Sequence, residues 1–260
     1  MKNLWPKFLS ILGLFLIGSS VFAAEKLVQL DIGRGGATMP VYVMSNSSAK
    51  ATVILFPGGN ADTGKLSFDR PGSNNFLSRT RDIFQAEGFN VIVVYRPTDL
   101  GDLDTDYRIS KHHLDEIEKV IAFSKKEFNA PVWLVGTSRG TVSVTAAAIA
   151  LGINSIDGVV LTSSVTARKN NGVGSQEITA IKVPVLVVHH QNDECKICVP
   201  ADAAKIVGQL NPSVIGKYIE VSGGYGPAGN PCEAKHWHGY INYEKETVKL
   251  IADWIKNPTK

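Results

Sequence analysis

The sequence predicts an α/β chain in which about eight mostly parallel strands carry helices on both faces of one sheet. Two observations point there. Short apolar runs rich in β-branched residues alternate with stretches of helical period along the 260 residues, and continuous apolar runs are what strands buried on both faces require. The connections between them are long enough to hold helices, and right-handed crossovers then set neighbouring strands parallel. With 44% hydrophobic and 20% charged residues the chain can fill one sizeable core. No internal repeat, low-complexity tract or long charge run appears, which removes solenoid and disordered classes.

Residues 1–23 differ in kind. Lys2 and Lys7 precede an apolar run at 8–17, and Val21-Phe22-Ala23 has the small-residue pattern of a signal-peptidase site. We read 1–23 as a signal peptide, cut after Ala23 or Ala24, and 24–260 as one domain. The apolar run is too short to span a membrane comfortably, so no stable membrane anchoring is expected after cleavage. The expected location is the periplasm or the exterior. The leader carries two lysines and no acid, so its loss lowers the formal charge from +3 to +1. That leaves no cationic footprint for nucleic acid. Three cysteines remain, Cys195, Cys198 and Cys232, and an exported chain would join two of them in one of three pairings.

Two early strands at 26–32 and 39–44 meet through Gly33-Arg34-Gly35-Gly36. Residues 51–56 form a buried strand stopped by Pro57-Gly58-Gly59-Asn60, and a polar loop fills 61–75. A helix at 76–87 ends at Gly88. Then follow a strand at 90–95, a long helix at 109–128, and strands at 131–135 and 156–161 around a helix at 141–151. The chain closes with strands at 183–189 and 214–221 and helices at 200–210 and 240–255. Residues 166–181 lack apolar periodicity and are few, so no large cap domain is expected.

The most specific local signal is Gly136-Thr137-Ser138-Arg139-Gly140, between a strand and a helix of small residues. A serine on a sharp strand-to-helix turn has a strained backbone, and only small residues fit two positions before and after it. A serine hydroxyl becomes a nucleophile when an imidazole takes its proton and a carboxylate orients that imidazole. Downstream, one strand empties into His190-Gln191-Asn192-Asp193, and the next into a loop ending His236-Trp237-His238-Gly239. Both groups fall at the carboxyl ends of parallel strands, where sites of open α/β sheets assemble. We assign Ser138 as nucleophile, His238 as base and Asp193 as orienting acid. His236 competes with His238, and Glu194 with Asp193. His189 and His190 are expected to line the neighbourhood, and His112 and His113 to be solvated at a helix start.

An oxyanion needs two backbone N–H donors, one following the nucleophile and one from the loop after the third strand. Arg139 supplies the first and Gly59 the second, with Asn60 its alternate. The acid-rich loop at 98–107 is either a solvated loop or part of a substrate entrance that disfavours anions.

On these motifs the chain resembles the α/β-hydrolase family across nearly its whole mature length, and more narrowly small exported bacterial hydrolases. The resembling stretches are 53–60, 133–141, 187–200 and 231–240. The resemblance implies the α/β-hydrolase fold, a Ser138–Asp193–His238 triad and backbone donors near Gly59 and Arg139. It implies a serine hydrolase that cleaves an ester or related acyl bond of a small-molecule substrate through an acyl-enzyme, with no metal or organic cofactor. It also implies a disulfide from Cys232 to Cys195 or Cys198, of which we take Cys195, leaving Cys198 a buried thiol. Pro57 departs from the family, many of whose members carry His there.

Rival readings are fewer. Cys195, Cys198, His236 and His238 have the residue types of a metal site. Gly59 to Lys65 resembles a phosphate loop, but Leu66 stands where Ser or Thr would hold Mg²⁺. The fold without the activity would leave a binding protein.

Overall fold

The computed structural model describes Met1 and residues 25–260, so the proposed leader at 2–23 lies outside the described residues. Eight strands form one sheet: β1 (Glu25–Arg34), β2 (Ala37–Met44), β3 (Thr52–Phe56), β4 (Asn90–Val94), β5 (Val132–Thr137), β6 (Gly158–Thr162), β7 (Val185–His190) and β8 (Gly216–Val221). Their order across the sheet is β1-β2-β4-β3-β5-β6-β7-β8. β1 pairs antiparallel with β2, and β2 with β4, while every later pair is parallel. The expected strands are all present.

Alternate residues of the central strands feed two cores, as a two-residue side-chain period demands. Ile54, Ile92, Leu134 and Val159 pack with Ile117, Val120 and Ile121 of α4 (Lys111–Phe128) and Ala147 of α5 (Arg139–Leu151). On the other face Val53, Val91, Trp133 and Val160 meet Phe84 of α2 (Arg81–Ala86) and Ile251 and Trp254 of α7 (Glu244–Lys256). Among the described residues no helix is long and apolar enough to cross a membrane.

Several expected helices are shorter than their apolar pattern. The 76–87 helix breaks into α1 (Phe76–Arg79) and α2 at Thr80, whose backbone N–H and hydroxyl both donate to the Phe76 carbonyl, at 3.1 and 2.7 Å. The 200–210 helix is α6 (Pro200–Ala203) followed by a single 3-10 turn at Val207–Gln209. α7 begins only at Glu244, since Tyr240 and Asn242 hold left-handed backbone at φ 56° and 55°. A two-residue hairpin, Leu66–Ser67 with Arg70–Pro71, interrupts the polar loop at 61–75. Residues 166–181 supply three isolated 3-10 turns and no helical layer over the sheet.

One expectation is overturned outright. His113 is not solvated; it is 1% exposed, its ring turned inward from the first turn of α4. Its partners, Glu116 one turn on and Ser143 on α5, replace the water that an imidazole there would otherwise keep.

Candidate active site

β5 ends at Thr137 and α5 begins at Arg139, so Ser138 makes the whole turn, at φ 52° and ψ −126°. A non-glycine residue in that region is strained, and such strain gathers at functional sites. The turn is possible because its neighbours lack side chains. A Cβ on Gly136 would lie 2.6 Å from the Gly140 carbonyl oxygen, and one on Gly140 only 1.9 Å from that of Phe56. The Ser138 N–H donates to Thr162 O at 3.1 Å, and its carbonyl accepts from Thr141 N at 2.9 Å. These bonds tie the turn to β6 and to its own helix.

Asp193 follows β7, with its side chain fully out of solvent. Its Oδ2 lies 2.8 Å from His238 Nδ1 and 3.1 Å from His189 Nε2, and its Oδ1 accepts the Cys195 N–H at 3.0 Å. Burial alone would raise this carboxyl. The hydrogen bonds from His189 and His238, with their charge, outweigh burial and hold it at about 2. His189, expected only to line the neighbourhood, thus shares the acid. His190 stacks on Trp237 with centroids 4.7 Å apart and reaches the Gly223 carbonyl at 2.8 Å, and burial lowers its pKa.

His238 sits in the 3-10 turn Trp237–Gly239 that precedes α7 rather than on the helix itself. Tyr240 pins this turn to the sheet: its hydroxyl donates to Val188 O at 2.9 Å and accepts the Ser163 N–H at 3.0 Å. The Ser163 hydroxyl donates to the His238 carbonyl at 2.8 Å. The imidazole is 5% exposed, and its Nε2, opposite the carboxylate, is buried with no hydrogen-bond partner. Ser138, His238, Gly59, Phe76 and Cys232 line one small cavity of about 30 Å³. Burial and then the Asp193 charge push the buried Cys198 thiol up, and Ser138 partly opposes them.

The competing residues pair with each other instead. His236 Nε2 lies 3.6 Å from Glu194 Oε2, and Glu194 is largely exposed. Neither bonds to Asp193 or His238. Of the two residues weighed as second oxyanion donor, Gly59 has φ 55° and lines the cavity. Asn60 turns away, its side chain accepting the Leu103 N–H at 2.8 Å and donating to Gly101 O at 3.4 Å. Among the described hydrogen bonds neither Gly59 N–H nor Arg139 N–H donates to a protein acceptor. The acids of the 98–107 loop are committed: Asp99 to Arg34, Asp102 to Arg139, Asp104 to the cap of α3 (Thr105–Arg108), and Asp106 to Asn171.

Cys195 and Cys232 form a disulfide across 37 positions, and Cys198 is a free buried thiol. The bridge joins the acid loop to the loop leading to His238. Ligand atoms of Cys195, Cys198 and His238 lie within 4.8 Å of one another. His236 is not among them, and Cys195 is spent on sulfur, so the four-residue metal set is not assembled. Closing a loop of this length contributes about 2–4 kcal/mol. Cys232→Ser is expected to lose that much in denaturant unfolding without reductant, and an unchanged midpoint would refute the bridge.

No family model matches the sequence, and no curated protein matches it. Solved structures do. A dienelactone hydrolase from Anabaena variabilis is 13% identical, with a TM-score of 0.64 over 92% of this chain and 99% of its own. An esterase from Pyrococcus furiosus is 11% identical, with a TM-score of 0.63 over 90% and 92%. An α/β serine hydrolase without lid from Xanthomonas campestris is 14% identical, with a TM-score of 0.59 over 92% and 96%. With its eight-stranded, mostly parallel sheet, the chain has the α/β-hydrolase fold.

Proposed function

We propose that this chain of α/β-hydrolase fold is an exported serine hydrolase that cleaves a small ester through an acyl-enzyme. One observation carries the reading: His238 holds Asp193 on Nδ1 and keeps a buried, unpartnered Nε2 in the cavity that Ser138 also lines. An imidazole so oriented accepts a proton from a hydroxyl that turns to it. The Ser138 hydroxyl turns to Nε2, gives up its proton to it and bonds to the carbonyl carbon. The carbonyl oxygen becomes anionic between the Gly59 and Arg139 N–H groups, where fixed donors act most strongly. Collapse of this intermediate expels the alcohol, which takes the proton back from His238. Water then attacks the acyl-serine by the same route, releasing the acid and restoring Ser138. Names of the structural neighbours, esterases and a dienelactone hydrolase among them, agree with this chemistry. The disulfide and the leader pattern support export, since such bonds persist in oxidising compartments.

The cavity of about 30 Å³ is far below the several hundred Å³ of a pocket that encloses a large ligand. p-Nitrophenyl acetate is therefore expected to be hydrolysed with a kcat/KM about tenfold or more above that of the octanoate. Inactivity toward every chain length would sink the hydrolase reading, and a preference for octanoate would sink the small-acyl part alone.

A further inference from the structure

Behind the oxyanion loop lies a second serine–histidine–acid relay. Ser143 Oγ is 3.0 Å from His113 Nε2, and His113 Nδ1 is 2.9 Å from Glu116 Oε2. Glu116 is anchored in turn by Arg34 at 2.6 Å and by the Tyr107 hydroxyl at 2.7 Å. None of the three relay residues is more than 2% exposed, so no substrate reaches the Ser143 hydroxyl. Its oxygen instead accepts from Arg108 Nη1 at 3.0 Å. The Glu116 carboxylate fixes the protons: it accepts from His113 Nδ1–H, so a neutral ring offers Nε2 to the Ser143 proton while the Ser143 oxygen accepts from Arg108. The imidazole is neutral, in keeping with the burial that lowers its pKa.

Arg108 is the unusual member. It is 1% exposed and forms no ion pair among the described residues, yet a buried guanidinium without a carboxylate is costly unless its donors are filled. Four of its five N–H groups meet oxygens, the Nη1 contact to Ser143 among them. Nε donates to Leu103 O at 3.1 Å, and Nη2 to both Pro57 O at 3.3 Å and Gly59 O at 3.2 Å. Those two carbonyls belong to the peptides on either side of the one that carries the Gly59 N–H. The carbonyl of that middle peptide, on Gly58, accepts the Ala61 N–H at 3.1 Å. All three peptide planes of the loop are thereby held. Burial pulls the guanidinium down to about 9, aided by the charge of Arg139 and opposed by Asp102 and Asp104, which leaves it charged at neutral pH.

We propose that Arg108 is a positioning residue for the reaction: clamped by the Glu116–His113–Ser143 relay, it turns the Pro57 and Gly59 carbonyls inward so that the Gly59 N–H faces the cavity. The proposal rests on the serine hydrolase reading. Arg108→Met keeps the volume and removes the donors, and Ser143→Ala loosens the clamp while leaving Arg108 in place. Kinetics on p-nitrophenyl acetate, with affinity for a small boronic acid that mimics the tetrahedral intermediate, test both variants. Arg108→Met is expected to lower kcat by about 10–100-fold, less than or equal to the loss of one whole oxyanion donor. KM should stay within about threefold, and boronate affinity should fall in step with kcat/KM. Ser143→Ala should show the same pattern with a fall of about three- to tenfold. A folded Arg108→Met with unchanged kcat, or one whose loss lies wholly in KM, overturns the proposal. Should Arg108→Met not fold, an unchanged kcat in Ser143→Ala overturns it instead. An inactive wild type overturns the hydrolase reading and this proposal together, which separates the two failures.

Discussion

Ser138→Ala is expected to lower ester turnover on the order of 10⁶-fold while leaving the fold in place. The size of the effect follows from the hydroxyl's proposed role as nucleophile: without it no covalent intermediate forms, and only binding and the proposed oxyanion donors still act on the reactant. The fold survives because the turn is held by backbone bonds to Thr162 and Thr141 that alanine keeps. Alanine also tolerates φ 52° no worse than serine does. A fluorophosphonate probe should label wild type at Ser138 and leave the variant unlabelled, with melting temperatures alike. Labelling retained in the variant would move the nucleophile elsewhere.

Asp193→Asn should be nearly as severe, at about 10⁴-fold in turnover. The carboxylate accepts three hydrogen bonds, from His238 and His189 on Oδ2 and from the Cys195 N–H on Oδ1. An amide presents one oxygen and one NH₂. With the oxygen toward the imidazoles, its NH₂ opposes the Cys195 N–H. With the oxygen toward Cys195, its NH₂ meets two ring nitrogens that had been donors, and His238 must take the wrong tautomer. Neither orientation satisfies all three. Stability shifts as well. The Asp193 pKa is depressed from 3.8 to about 2, so its contribution is complete above the unfolded value and is lost as the pH falls through about 2. That contribution is on the order of 2 kcal/mol. Wild type should lose it between about pH 5 and pH 2, and the Asn variant should lack this dependence. Equal acid sensitivity in the two proteins would contradict the assignment.

The strands were legible because burial on both faces leaves no polar position to interrupt β3 to β7. The strained turn at Ser138 was legible because it dictates both flanking glycines. The meeting of Asp193 with His238 could be read from their places after β7 and β8, where a parallel sheet brings its loops together. The break at Thr80 could not: the helix around it has the right apolar spacing, and nothing in that spacing marks the residue whose hydroxyl reaches back to Phe76. Nor could the Arg108 clamp. His113 and Glu116 show only a three-residue spacing on one helix, and Ser143 and Arg108 reach them through the docking of α3 and α4 on α5. His189 looked like the end of a buried strand, and its share in Asp193 depends on the tight turn that brings the acid back beneath it.

The three isolated turns between 168 and 180 have one more consequence. They leave no helical roof across the carboxyl ends of the strands among the described residues. In the proposed reaction, selection then falls on the short acyl fragment that must enter the cavity, while the departing alcohol faces outward.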